Sequence, residues 1–205
     1  MKLVRFGARG AEKPGMIDAN GIIRDLSGKV GDFVDAGVTV AALDKIRTID
    51  PSTLPAVAAD VRLGPVIGRV NNFIAVGLNY ADHAAESNLP VPREPVLFNK
   101  APSTLAGPND DVVIPPGSLK SDWEVELAVV IGKPAYQVSE ADALSYVAGY
   151  AVCNDLSERA WQTEGTGQWV KGKSAPGFGP LGPWLVTPDE IADVQQLGMV
   201  LDLNG

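Results

Sequence analysis

A single cysteine and a single histidine in 205 residues exclude several chemistries from the outset. Cys153 has no second thiol to pair with, so no internal disulfide framework is available, and a lone thiol suits a reducing compartment. Basic residues are in the minority: 17 Lys and Arg stand against 25 Asp and Glu, for a formal net charge of -8. No Lys/Arg cluster forms a basic patch, which argues against a nucleic-acid surface. No apolar run approaches the ~20 residues needed to span a bilayer. The first residues, Met1 to Phe6, lack the apolar centre of a signal peptide. What is present is ordinary for a globular chain: 45% hydrophobic and 20% charged residues, enough to bury a real core. A soluble, cytoplasmic protein with no membrane or nucleic-acid partner is the expectation.

Turn residues divide the chain. Lys2–Phe6, Gly15–Ile17 and Ile22–Asp25 read as short strands, with Asn20-Gly21 as the strongest hairpin signal. Residues 39–48 read as a short helix, and the Pro/Ala-containing stretch 51–65 reads as a connector. This predicts a small N-terminal α/β module over residues 1–65 and a larger domain over 66–205. In the larger part, Phe73–Gly77 reads as a buried strand. The segment beginning at Asn79 reads as a helix with Asn79 as its N-cap. Pro95–Lys100, Val112–Pro115, Ala148–Cys153, Leu185–Thr187 and Met199–Leu203 read as further strands. Short helices are predicted from Ser139 to Ala143 and from Pro188 to Asp193. Many strands with few, short helices predict a β-rich α+β fold.

The stretch Asp122–Ile131 is the most informative. Side chains alternate faces along a strand, so Glu124 and Glu126 share one side. Two like charges on neighbouring same-face positions repel unless water or a cation separates them. A solvated outer face and a cation site both satisfy that requirement. Asp155, at the end of an apolar run, is either a third ligand or the cap of the following turn. With no second histidine and no cysteine cluster, three carboxylates favour Mg²⁺ or Mn²⁺ over zinc. His83 and Glu86, three residues apart on a predicted helix, share a face. They are either a surface pair or a base with its orienting carboxylate. Residues 167–174 match the phosphate-loop pattern GxxxxGKS formally. A polar stretch precedes them and Ala175-Pro176-Gly177 follows, so the strand and helix such a loop requires are missing. Lys173 in this rigid loop is instead a candidate for stabilising an oxyanion.

Four segments occur in order: Gly77-Leu78-Asn79-Tyr80 with His83 and Glu86, Asp122–Leu127, Asn154–Ser157 with Arg159 and Gln162, and Gly172-Lys173-Ser174 before Gly182-Pro183. Together they resemble the fumarylacetoacetate hydrolase family across residues ~70–205. The resemblance is nearest to its bacterial ureidoglycolate lyase, diketo-deoxy-sugar-acid hydrolase and hydroxyheptadienedioate isomerase branch. It implies a mixed β-sandwich roll, usually dimeric, with Mg²⁺ or Mn²⁺ held by Glu124, Glu126 and Asp155. It also implies a water-activating His83–Glu86 dyad, Lys173 supporting developing negative charge, and Gln162 and Lys100 contacting a small oxo acid. The implied activity is hydrolysis of 2,4-dioxo acids, cleaving a carbon–carbon bond through an enolate held at the metal. Isomerase, decarboxylase or ureidoglycolate-type lyase chemistry, or an incomplete non-catalytic member, are the alternatives. Two departures stand out. Pro176 and Gly177 replace an acidic residue that many relatives carry. The chain also stops at Gly205, where members continue for some tens of residues, so a domain incomplete at its C-terminal end is expected.

Overall fold

Strand β1 (Lys2–Phe6) is buried over all but its first residue because it runs through the interior of a sheet rather than along its rim. The computed structural model describes residues 1–205. On one side β1 pairs antiparallel with β2 (Lys13–Ile17), which continues to β3 (Ile23–Asp25). The β2–β3 turn is held by Asp18, whose Oδ1 accepts from the backbone N–H groups of Asn20 and Ile22. Gly21 takes a positive φ of 80° there, which is the hairpin chemistry expected of Asn-Gly. Helix α1 (Val40–Arg47) is capped by Thr39, which accepts from the Ala42 N–H. It turns Leu43 and Ile46, a 3.6-residue stripe, into the core.

After β4 (Leu63–Gly64), which pairs with β1, the chain forms a separate two-stranded hairpin. This hairpin consists of β5 (Phe73–Gly77) and β6 (Val96–Lys100), with helix α2 (Ala81–Glu86) in the connection between them. Short β7 (Leu105–Ala106) and β8 (Ser121–Asp122) follow, then β9 (Val125–Ile131), α3 (Glu140–Ala143) and β10 (Val147–Asn154). The last elements are β11 (Ser157–Glu158), α4 (Arg159–Thr163), α5 (Trp169–Lys173) and β12 (Gly179–Val186). The main sheet runs β3-β2-β1-β12-β10-β9, with β4 added on β1 and β7 parallel on β12. It is a mixed α+β fold dominated by one large, mostly antiparallel sheet.

The predicted boundary at residue 65 marks no break in packing. Leu3, Met16, Leu26, Phe33, Leu43 and Ile46 share one core with Ala148, Cys153, Leu181 and Leu185, and β1 is hydrogen-bonded to β12. A network of arginines and carboxylates reinforces the junction. Arg62 makes a bidentate pair with Asp110, at 2.7 Å on both oxygens, and also reaches Glu12 at 2.9 Å. Arg62 holds the Asp110 carboxyl well below the usual carboxylate range. A carboxylate depressed in the folded state contributes stability above its unfolded pKa of about 3.9 and loses it as pH falls through the folded value. Asp110→Asn is therefore expected to cost about 1.5–3 kcal/mol at pH 7, the range for hydrogen bonds to charged groups. It is also expected to flatten the fall in melting temperature below about pH 4. Thermal unfolding of both proteins across that range measures the two effects together.

Several elements differ from expectation. Residues 112–115 form no strand, and Val113 and Ile114 are exposed; Pro115 and Pro116 supply no N–H for a ladder. Residues 199–203 are likewise unpaired and largely exposed. The helix predicted from Pro188 is a single 3₁₀ turn, Pro188–Glu190. The Asp122–Ile131 strand is interrupted at Trp123 and Glu124: Asp122 pairs with Ser157 in β8–β11, and pairing with β10 resumes at Val125. Asn79 does not cap α2. Leu78 sits in the left-handed region at φ 51°, which delays the helix by one residue and makes Tyr80 its N-cap. β12 begins six residues before the strand predicted at Leu185, running through Pro180 and Pro183, where sequence argues for a loop.

Candidate active site

Two buried lysines and three acids meet at the end of the β9–β10 ladder. Past the Val125–Asn154 pair, the strands stay joined by two further bonds. The Glu124 N–H donates to Asn154 Oδ1 at 3.1 Å, and the Asp155 N–H donates to the Glu124 carbonyl at 2.9 Å. These bonds fix both acidic residues where the sheet ends. Lys173, on the last turn of α5, donates to Glu124 Oε2 at 2.7 Å and to Asp155 Oδ2 at 2.8 Å. Its ammonium also lies 5.1 Å from the centre of the Phe98 ring. Gly172 is what lets α5 come this close. A Cβ there would sit 2.4 Å from the Glu158 carbonyl oxygen, so the glycine serves helix packing and not a phosphate cradle. No helix follows Ser174, whose hydroxyl accepts from the Ala101 N–H.

Lys100, at the base of the β5–β6 hairpin, is equally buried. Its Nζ lies 2.5 Å from Asp155 Oδ1 and donates to the Lys173 carbonyl at 2.7 Å and the Leu156 carbonyl at 3.2 Å. Two backbone carbonyls take two of its N–H groups, and the ammonium lies against Asp155 Oδ1 without an aligned hydrogen bond, which places Lys100 beside Asp155. Burial pulls its pKa down against the opposing pull of Asp155. Gln162 is buried on α4, with its Oε1 accepting from Arg159.

Arg159 organises the outer side of the site. Its guanidinium reaches Glu124 Oε1 at 2.6 Å and Asp122 Oδ2 at 2.8 Å while also holding Gln162. Glu158, fully buried, accepts from the N–H groups of Lys120 and Ala160, which fixes the turn that presents Arg159. Sequence reasoning gave these two residues no separate role. The available signal was the spacing of Arg159 and Gln162 on one helix face, with an acidic strand in reach. Tyr80 was also passed over as a group in its own right. Its hydroxyl accepts from the Leu127 N–H at 3.0 Å, one residue from Glu126 on the strand.

His83 and Glu86 are both exposed on α2, and no hydrogen bond or ion pair joins them. The structure thus gathers Glu124, Asp155, Lys173, Lys100 and Gln162, with Glu126 beside them, and leaves the predicted dyad open. Cys153, buried next to Asp155, has its thiol pushed up to about 12, chiefly by burial, and is inert as a nucleophile.

The donors fit a hard divalent cation. All three are carboxylates. Asp155 Oδ1 is buried and accepts no well-aligned hydrogen bond, although Lys100 lies against it. Burial, aided by the charges of Glu124 and Asp155, pushes the Glu126 carboxyl up to about 7. No three of these side chains are drawn into coordination geometry here; the Lys173 ammonium takes up the facing oxygens of Glu124 and Asp155.

Residues 72–205 match the model of the fumarylacetoacetate (FAA) hydrolase C-terminal domain. The chain belongs to the fumarylacetoacetate hydrolase family. Over its full length it is 57% identical to a Burkholderia ambifaria protein named "Putative hydrolase", and it spans 73% of that protein. Among solved structures it is similar to the fumarylacetoacetate hydrolase of Exiguobacterium antarcticum. That match has a TM-score of 0.79 and 34% identity, and covers 92% of this chain and 67% of that one. It is also similar to the 5-carboxymethyl-2-hydroxymuconate delta-isomerase of Mycobacterium smegmatis, with a TM-score of 0.67 and 30% identity, covering 92% and 67% respectively. The large antiparallel sheet is thus the fold of the fumarylacetoacetate hydrolase family, whose solved members include proteins named as hydrolases and as isomerases. No helix is long and apolar enough to cross a membrane.

Proposed function

We propose that this family member is a divalent-metal-dependent hydrolase of small 2,4-dioxo acids, acting in the cytoplasm as a homodimer. The observation that supports the reading best is the cluster of Glu124 with the buried Asp155 and Lys173, with Glu126 adjoining. It pairs an oxygen-only donor set with a buried ammonium at one end of the sheet. Glu124, Glu126 and Asp155 would hold Mg²⁺ or Mn²⁺. Such an ion, when bound, supplies a chelation point for the acid's carboxylate and neighbouring oxygen, together with neutralising charge.

The chain's own residues supply the rest. His83 takes a proton from water, and Glu86, one turn along the same helix, orients the imidazole once their side chains turn toward each other. The water oxygen bonds to the distal carbonyl carbon, and the carbon–carbon bond toward the 2-oxo acid breaks. Its electron pair passes into the enolate of that acid. Lys173 donates to the enolate oxygen where charge develops. Proton return from His83 to carbon completes the 2-oxo acid, and the distal fragment leaves as a carboxylic acid. Gln162 orients the bound acid. Isomerisation on the same site needs only the enolate stabilisation and a different proton route, a second reading favoured by the isomerase named among the structural relatives.

A thermal-shift series with Mg²⁺, Mn²⁺ and oxalate, run beside an acylpyruvate turnover assay, tests the proposal. Ligands that bind only the native state raise its melting temperature, by about 2.7 kcal/mol of stabilisation at a hundredfold excess over Kd. The wild type is expected to gain from either metal, and a Glu124→Ala/Glu126→Ala variant to gain nothing. Equal shifts in both proteins would eliminate these carboxylates as metal ligands.

A further inference from the structure

Strand β9 is the outermost strand of the main sheet. Its backbone groups on the side away from β10 have no strand partner, and an unpaired edge N–H needs an acceptor or water. The Leu127 N–H is met by a side chain, the Tyr80 hydroxyl, at 3.0 Å. Tyr80 is half-buried and serves as the N-cap residue of α2. Its carbonyl takes the first helical bond from the Ala84 N–H at 3.1 Å. The same residue therefore starts the helix that carries His83 and contacts the strand that carries Glu126. Little else holds α2. Ala84 is its one buried residue, and every other residue from Ala81 to Glu86 is exposed. The left-handed turn at Leu78, φ 51°, brings the chain off β5 just before Tyr80.

We infer that Tyr80 is a positioning residue whose hydroxyl pins the start of α2 to the free edge of β9 beside Glu126, setting the separation between His83 and the carboxylate cluster. Its catalytic consequence rests on the proposed role of His83; the pinning itself does not. The half-buried ring supplies bulk, and the hydroxyl supplies the directional link. Phenylalanine keeps the first and removes the second, so the fold is retained while the link is lost.

The test compares the wild type, Tyr80→Phe and the control Asp82→Asn, which alters an exposed residue on the same helix. Amide hydrogen exchange is read residue by residue. In Tyr80→Phe the Leu127 amide and the α2 amides of Ala84 and Ser87 are expected to exchange on the order of tenfold faster, the equilibrium weight of about one net hydrogen bond. The β10 amides keep their rates, and Asp82→Asn matches the wild type throughout. In the acylpyruvate assay kcat is expected to fall by a similar factor with KM nearly unchanged. That is the mark of an interaction that matters at the transition state. Wild-type exchange at Leu127 and α2 would overturn the pinning. Faster exchange with unaltered kcat would reduce Tyr80 to a structural contact. If the wild type turns over no oxo acid, the functional reading fails, and the exchange data alone still decide whether Tyr80 pins α2.

Discussion

Lys173→Met is expected to cut acylpyruvate turnover by about 10²–10³-fold, the measured scale for removing one donor to a developing oxyanion. The same substitution is expected to lower stability by about 3–5 kcal/mol when no divalent cation is present. Both effects come from one atom. The Lys173 ammonium is almost fully buried and sits between Glu124 and Asp155. Methionine preserves the length and apolar stem of the side chain, so packing against Phe98 survives and only the charge is lost. Glu124 retains Arg159 and Asp155 retains Lys100, so the two carboxylates are under-compensated and not bare. A divalent cation added to the variant supplies the missing charge. Mg²⁺ or Mn²⁺ should therefore recover stability in Lys173→Met without recovering turnover. Denaturant unfolding in EDTA and in Mg²⁺, set beside the rate assay, separates the two roles. Recovery of both by the metal would show that Lys173 supplies charge balance alone.

Glu124, Glu126, Asp155 and Lys173 stand out in the sequence for their chemistry, with a solvated strand face and a turn cap as rival readings for the acids. Lys100 and Gln162 come from the family resemblance alone. A carboxylate at the end of an apolar run, two acids two apart in a strand, and a lysine between glycine and proline all read as placed groups. The structure brings Asp155, Glu124 and Lys173 within hydrogen-bond reach of one another. The contacts among them were not legible. Lys100 lies 73 residues from Lys173 in the chain, and no local pattern signals that its ammonium ends against the Lys173 carbonyl. The burial of Lys100 against two carbonyls and the Asp155 carboxylate is a tertiary fact that no local pattern carries.

Fold-level differences have a similar origin. Gly179–Val186 carries two prolines and two glycines, and its own propensities argue against a strand. It becomes one because β1 and β10 flank it and β7 adds in parallel at Gly179 and Pro180. Helices α4 and α5 span five residues each, too few for an apolar period to show. They are held by contact with each other around Gly172. The His83–Glu86 spacing suggested a dyad because residues three apart share a helix face, but a shared face permits a contact without requiring one. On an exposed helix of six residues, side-chain entropy works against closing that contact.

Asp155→Asn is the substitution expected to destabilise the protein most among the acids of this site. The exchange is nearly isosteric, so the effect is one of charge and donor count. Asp155 offers Oδ1 to Lys100 at 2.5 Å and Oδ2 to Lys173 at 2.8 Å, and it is almost completely buried. An amide has one acceptor oxygen. Whichever lysine keeps that oxygen, the other faces the amide NH₂, a donor against a donor, in a place water does not reach. Breaking one partner out of a buried ion pair costs about 3–5 kcal/mol. Glu124→Gln should cost less: Glu124 is more exposed, and the Arg159 that binds it keeps Asp122 as a second partner. The order of effects, Asp155→Asn above Glu124→Gln, is measured by urea unfolding in EDTA, where no metal can mask it. A loss below about 1 kcal/mol for Asp155→Asn would mean that one of the two lysines does not carry its charge in the folded protein. Lys100, whose pKa burial pulls down, is the one of the two that the structure points to.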